Sequence, residues 1–139
     1  TEAPTTSASE TDLLTVSSLS IAATKPFMIW AIVRASSNGV TFGLKLNTTQ
    51  VVPATAVMPT DGSAVLWAYV GPRVTNQLRA LTGWAGYGST FGTGGVVFFR
   101  STTADHPTAT ITQVTITADS NGSVTAGADE LRVYEMATS

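Results

Sequence analysis

KPFMIWAIVRASSNGVTFGLKLN, residues 25–47, sets two kinds of strand end to end. Its first half, from Phe27 through Met28, Ile29, Trp30, Ala31 and Ile32 to Val33, is apolar without interruption. Such a run is short for a buried helix and well sized for a strand covered on both faces. In the second half Val40, Phe42, Leu44 and Leu46 alternate with Thr41, Gly43, Lys45 and Asn47. A period of two marks a strand with one buried and one wet face. Between the halves, Ser36, Ser37, Asn38 and Gly39 read as a hairpin turn, since Asn-Gly takes positive φ angles at little cost.

Short apolar stretches separated by turn signals continue outward in both directions. In residues 13–22, Leu14, Val16, Leu19 and Ile21 alternate with Thr and Ser across an expected bulge at Ser17 and Ser18. Val51, Val52 and Pro53 read as a strand end or sheet edge, because proline has no N–H to give to a ladder. Residues 64–70 oppose Leu66 and Ala68 to Trp67 and Tyr69. Residues 96–100 are compactly apolar, and residues 108–118 alternate around Val114 and Ile116. Asp119 to Ser123 supply a turn, and residues 131–136 oppose Leu131 and Val133 to Tyr134 and Met136. From Gly71 to Thr93 the pattern dissolves, except that residues 74–81 fit a short helix or a poor strand.

Seven or eight short strands with no long helix predict a single all-β domain, an antiparallel sandwich or barrel, over residues 13–139. A chain of 139 residues suffices to bury one good core. Residues 1–12 form a polar arm without hydrophobic period. Thr1 is a residue of the size left by methionine removal, which reads the chain as a complete product.

The composition is 43% hydrophobic and only 12% charged, where about 25% is usual, and 37 Ser and Thr residues fill the difference. Hydroxyl-rich surface is inexpensive to desolvate and favours strands, as expected of a protein packed against neighbours. The seven Lys and Arg residues are scattered in a chain of net charge −2, which argues against nucleic-acid binding. The absence of cysteine removes disulfides, thiolate catalysis and thiolate zinc sites. No apolar run approaches the ~18 residues needed to cross a membrane.

Catalytic signals are weak, and neither an enzyme nor a cofactor is expected. His106 is the single histidine, its neighbour Asp105 faces the other way in an extended segment, and no G-x-S-x-G elbow supplies a nucleophile. The glycines around Thr93 lack the Lys-Ser/Thr of a phosphate loop and read as a turn. Asp119, Asp129 and Glu130 have the chemistry of calcium ligands, but turn formation and edge protection account for them without a metal, and no metal is expected. Asn47 and Asn121 begin glycosylation-type triplets, which have meaning only in a secretory pathway.

The contact candidates are aromatic. Trp84, Tyr87 and Phe91 stand in a glycine-rich stretch read as a loop, where they fit a protein contact, a cap on the sandwich or a sugar-stacking surface. Met28 and Trp30 lie on the second face of a strand that needs only one face for its own core. That second face must meet a neighbouring chain or a covering loop.

The opening strand of residues 13–22, the Lys-Pro step into the hydrophobic strand of residues 25–39, the strand of residues 40–46, and the closing segments 111–116, 124–127 and 131–136 together resemble the jelly-roll domains of tailed-phage virion proteins. The resemblance covers about two-thirds of the chain and fails over residues 71–93. It implies a jelly-roll β-sandwich and a homotrimer bound in the virion to the major capsid protein or another virion protein, as a decoration (cement) protein. The alternative it implies is a tail or fibre tip, or knob, that binds a host receptor or glycan.

Overall fold

The structure, a computed structural model, describes residues 11–35, 40–58, 62–72, 81–90, 93–100, 109–119 and 126–137; at 35, 40, 53–58, 62–64, 81–90, 93–100 and 126 the description is of backbone. The described strands are β1 (Thr11–Val16), β2 (Phe27–Ala35), β3 (Val40–Leu46), β4 (Thr49–Met58), β5 (Gly62–Val70), β6 (Leu81–Thr90), β7 (Thr93–Arg100), β8 (Val114–Asp119) and β9 (Ala126–Glu135). They form two antiparallel sheets, ordered β1-β8-β3-β4 and β7-β6-β5-β2-β9. The sheets pack face to face around one hydrophobic core. The chain is the all-β antiparallel sandwich that its periodicity predicts.

Alternation decides which residues meet in that core. Phe27, Ile29, Ala31 and Val33 on β2 are wholly buried, while Met28, Trp30 and Ile32 between them are half-buried on the opposite face. Phe42, Leu44 and Leu46 on β3 face them from the other sheet, with Val114 and Ile116 on β8 beside them. In β1 the register with β8 slips between Asp12 and Leu14, so Leu13 leaves the ladder and is buried. At Ser18 the backbone turns to φ 62°, which ends β1 near the expected bulge, and Ile21 then pairs with Ile111 in an isolated bridge. Pro53 lies within β4, an edge strand, where the register with β3 jumps, as a residue without an N–H requires.

Several expectations are corrected. Residues 36–39 lie outside the described residues, but β2 and β3 belong to different sheets, so their connection crosses the sandwich. Both sides of β2 are already taken, by β5 and β9, leaving no room for a hairpin partner. The resemblance also implies a closing hairpin over residues 111–136, but β8 lies between β1 and β3 while β9 pairs with β2, so these segments form none. Thr11 and Asp12, placed in the arm by sequence, pair with Ala118 and Thr117 and belong to the sheet. The Gly-aromatic stretch is not a loop. Residues 81–90 form strand β6 between β5 and β7. Its glycines hide the period of two, and the pattern is restored only across strands, where Gly83 is opposite Phe99 and Tyr87 is opposite Gly95.

The β3–β4 turn is pinned by Asn47, whose φ of 55° lies in the left-handed region that Asn tolerates. Its Oδ1 accepts from Thr112 N at 2.8 Å, and its Nδ2 donates to Thr110 O at 3.2 Å. Gln113 Nε2 donates to Asn47 O at 3.0 Å. The side-chain amide of this glycosylation-type Asn is thus spent on holding the approach to β8.

Candidate functional site

Cross-strand register lines up one row of large residues on the outer face of the five-stranded sheet. Trp30 on β2 is opposite Trp67 on β5 and Arg132 on β9. One step along, Met28 is opposite Tyr69 and Tyr134. On the backbone of β6 and β7, Trp84 takes the position opposite Trp67, and Phe98 the position opposite Trp84. All three tryptophans of the chain therefore share one row, which crosses five strands over about 19 Å at the usual strand spacing.

Met28, Trp30, Trp67, Arg132 and Tyr134 line a shallow depression of about 190 Å³, open to solvent. Tyr134 is 44% exposed, and the apolar residues beside it are half-buried by one another. The Arg132 guanidinium carbon lies 5.5 Å from the centre of the Trp30 ring, in position for a cation–π contact. Arg132 also forms an ion pair with Glu130, through Nε and Nη2, and its Nη1 donates to Tyr134 Oη at 3.4 Å. The hydrogen bond to Tyr134, followed by the Glu130 carboxylate, holds the guanidinium pKa above its ordinary value. The rim of the depression is thus a fixed cation with an acceptor beside it, and the floor is indole and thioether.

Of the contact residues expected from sequence, Met28 and Trp30 line this depression and Trp84 lies in its row by register. Tyr87 does not join them. It is opposite Ala64 and Gly95, on the register parity of the buried Leu66 and Ala68. Phe91 lies outside the described residues, as do His106 and Asn121. Trp67, Arg132 and Tyr134 were not singled out as contact residues. Alternation alone puts Trp67 and Tyr134 off the core face, but only register shows that they are neighbours.

The acidic residues weighed as calcium ligands have other partners. Asp129 pairs with Arg34 and Glu130 with Arg132. Among the described residues no group of three or more metal-ligating side chains comes together. No known protein family, curated protein or solved structure gives a match to this chain.

Proposed function

We propose that this protein is a non-catalytic assembly protein, a homotrimeric decoration (cement) protein of a virion, with the outer face of its five-stranded sheet as a contact surface. One observation carries this reading: Met28, Trp30, Trp67, Arg132 and Tyr134 converge on one solvent-open depression. Met, Trp, Tyr and Arg are the residue types enriched in protein interfaces, and Trp, Tyr and Arg dominate binding hot spots. The low charge of the chain supports the same conclusion, since little of its surface is built to stay wet.

The virion setting rests on the resemblance of residues 13–46 and 111–136 to jelly-roll virion domains. Strand order lends support to the jelly-roll reading: β1 and β3 flank β8 while β2 pairs with β9, an arrangement expected of a chain that winds its ends together. Trimeric attachment engages three sites at once and gains avidity without more contacts per chain.

A second reading, a tail or fibre tip that binds a glycan, is favoured by the Arg132–Glu130 pair and the Tyr134 hydroxyl at the rim of an aromatic floor. Light scattering at micromolar concentration separates the two. The assembly reading expects three chains, or a multiple of three, in the wild type and a smaller unit for the Trp30→Ala, Tyr134→Ala double variant. A wild-type monomer that binds oligosaccharide through these residues favours the tip, and a monomer that binds none removes both.

A further inference from the structure

We propose that strand β7 is a pairing edge for a second copy of this chain: two β7 strands meet antiparallel across a two-fold axis at Val97 and join two five-stranded sheets into one of ten.

Among the described strands the sandwich has four edges, β1 and β4 in one sheet and β7 and β9 in the other. Exposed edges invite pairing, and proteins blunt them with bulges, prolines, charges or short length. Three edges here carry such devices. β9 breaks register at Asp129 and bears Glu130, Arg132 and Glu135. β4 shifts register twice against β3 and contains Pro53. β1 has six residues, one bulge, and Asp12 in an ion pair with Lys45. β7 carries a single charge, Arg100 at its last position, and the one register shift of its ladder falls in β6 between Gly88 and Thr90. Its sequence, TGGVVFFR, holds no proline, lysine or acid, and residues 94–100 pair with β6 in unbroken register. Among the described residues nothing pairs with its other side.

The occupant follows from the sequence of the edge itself. An antiparallel pair places opposed residues on the same face, so a two-fold axis that keeps the two cores aligned must pass through a residue position. Centred on Val97, the pairing uses the whole run of residues 94–100. It sets Val96 opposite the partner's Phe98, Gly95 opposite the partner's Phe99, and Gly94 opposite the partner's Arg100. This repeats the exchange of large for small that β7 already makes with β6, where Phe99 is opposite Gly83 and Tyr87 is opposite Gly95. Aromatic residues opposite glycine are a known means of stabilising strand pairs. The two Arg100 residues fall at opposite ends of the ladder, about 20 Å apart.

The contact is isologous and distinct from the depression on the sheet face. Where its two-fold axis meets the axis of the unit that face builds, it doubles that unit, and it goes beyond the proposed function without depending on it.

The chain has no cysteine, which makes one introduced thiol a clean probe. Residues directly opposed in an antiparallel pair have Cα atoms about 4.5–5.5 Å apart, within reach of a disulfide. Mild oxidation of Val97→Cys should give a covalent dimer, whereas Arg100→Cys, whose counterpart lies at the far end of the ladder, should not. Val96→Lys, placed on the outer-face parity, should halve the mass found for the wild type by light scattering, with circular dichroism unchanged. Equal cross-linking of the two cysteine variants overturns the proposal, as does cross-linking of Val97→Cys only after another protein is added. An unchanged mass for a folded Val96→Lys also overturns it; if that variant misfolds, the cysteine pair decides alone. Failure of the face reading looks different: the Trp30→Ala, Tyr134→Ala variant then keeps the wild-type mass whatever β7 does.

Discussion

Replacing Asn47 should separate two contributions that the β3–β4 turn combines in one residue. Its side chain makes two main bonds, Oδ1 accepting from Thr112 N at 2.8 Å and Nδ2 donating to Thr110 O at 3.2 Å, while Oδ1 is shared with Thr112 Oγ1 at 3.2 Å and Gln113 N at 3.4 Å. Net values of about 0.5–1.5 kcal/mol per bond, taken at the low end for an exposed site, give about 1–2 kcal/mol for the clamp. The backbone at φ 55° adds a cost of about 1 kcal/mol for a residue with a Cβ and no local polar group. Asn47→Gly keeps the turn and loses the clamp, so it should cost about 1–2 kcal/mol. Asn47→Ala loses both and should cost about 2–3 kcal/mol. Asn47→Asp keeps the acceptor for Thr112 but sets a second oxygen against Thr110 O, and should fall near the glycine variant. Urea unfolding reads these as shifts in midpoint at constant slope. Equal midpoints for the glycine and alanine variants would refute the backbone cost, and a wild-type midpoint for Asn47→Gly would refute the clamp.

On β2 the two faces should respond differently: Ile29→Ala, from a fully buried site, should cost about 2–5 kcal/mol, and Met28→Ala less than about half of that, both by urea unfolding. Deleting residues 1–10 should leave the melting temperature nearly unchanged, whereas deleting residues 1–12 removes two ladder pairs and the Asp12–Lys45 ion pair and should lower it by several degrees in calorimetry. A melting temperature that falls equally in both would place the arm in the sheet. Trp84→Ala should weaken assembly or attachment by roughly 2 kcal/mol, while Tyr87→Ala should act on monomer stability, measured by light scattering and unfolding on the same pair of variants.

Strands whose alternation is complete within one segment were legible in sequence. β3, β5 and β9 have the faces that residues 40–46, 64–70 and 131–136 predict, because an apolar residue at every second position carries its own register. β6 was not legible, because Gly83, Gly86 and Gly88 leave three of its ten positions, on both parities, without a side chain to mark a face. Its large-against-small pattern belongs to the pair β6–β7 and exists only once the two are in register. The turn signals at Asn38–Gly39 and Asn121–Gly122 mark places where the chain ends a strand, but they do not say whether the next strand joins the same sheet. That depends on which edges are already filled, a property of the assembled sandwich. The same limit applies to the depression. The apolar second face of β2 was visible, whereas its neighbours come from residues 67, 132 and 134, distant in sequence.

The two outer faces of the sandwich differ in what contact with another surface would yield. On the four-stranded sheet, Thr115 and Thr117 point away from the core yet are 1% and 0% exposed. Thr115 Oγ1 shares a hydrogen bond with Thr15 Oγ1 at 2.8 Å, and Gln50 Nε2 donates to Thr117 Oγ1 at 3.3 Å. Above them Lys45 on β3 reaches over β8 to Asp12 on β1, Nζ to Oδ1 2.5 Å. This face is closed by its own polar groups, and covering it means desolvating an ion pair that water and neighbours already satisfy. On the five-stranded sheet the half-buried indoles and the exposed Tyr134 ring retain apolar area that a partner could remove from water, at about 25 cal/mol per Å². A chain that neighbours both surfaces equally often gains by staying on the second. Among the described residues the sandwich is therefore polarised: one face is finished by its own hydroxyls, and the other offers an aromatic surface and, along β7, an edge that no described strand pairs.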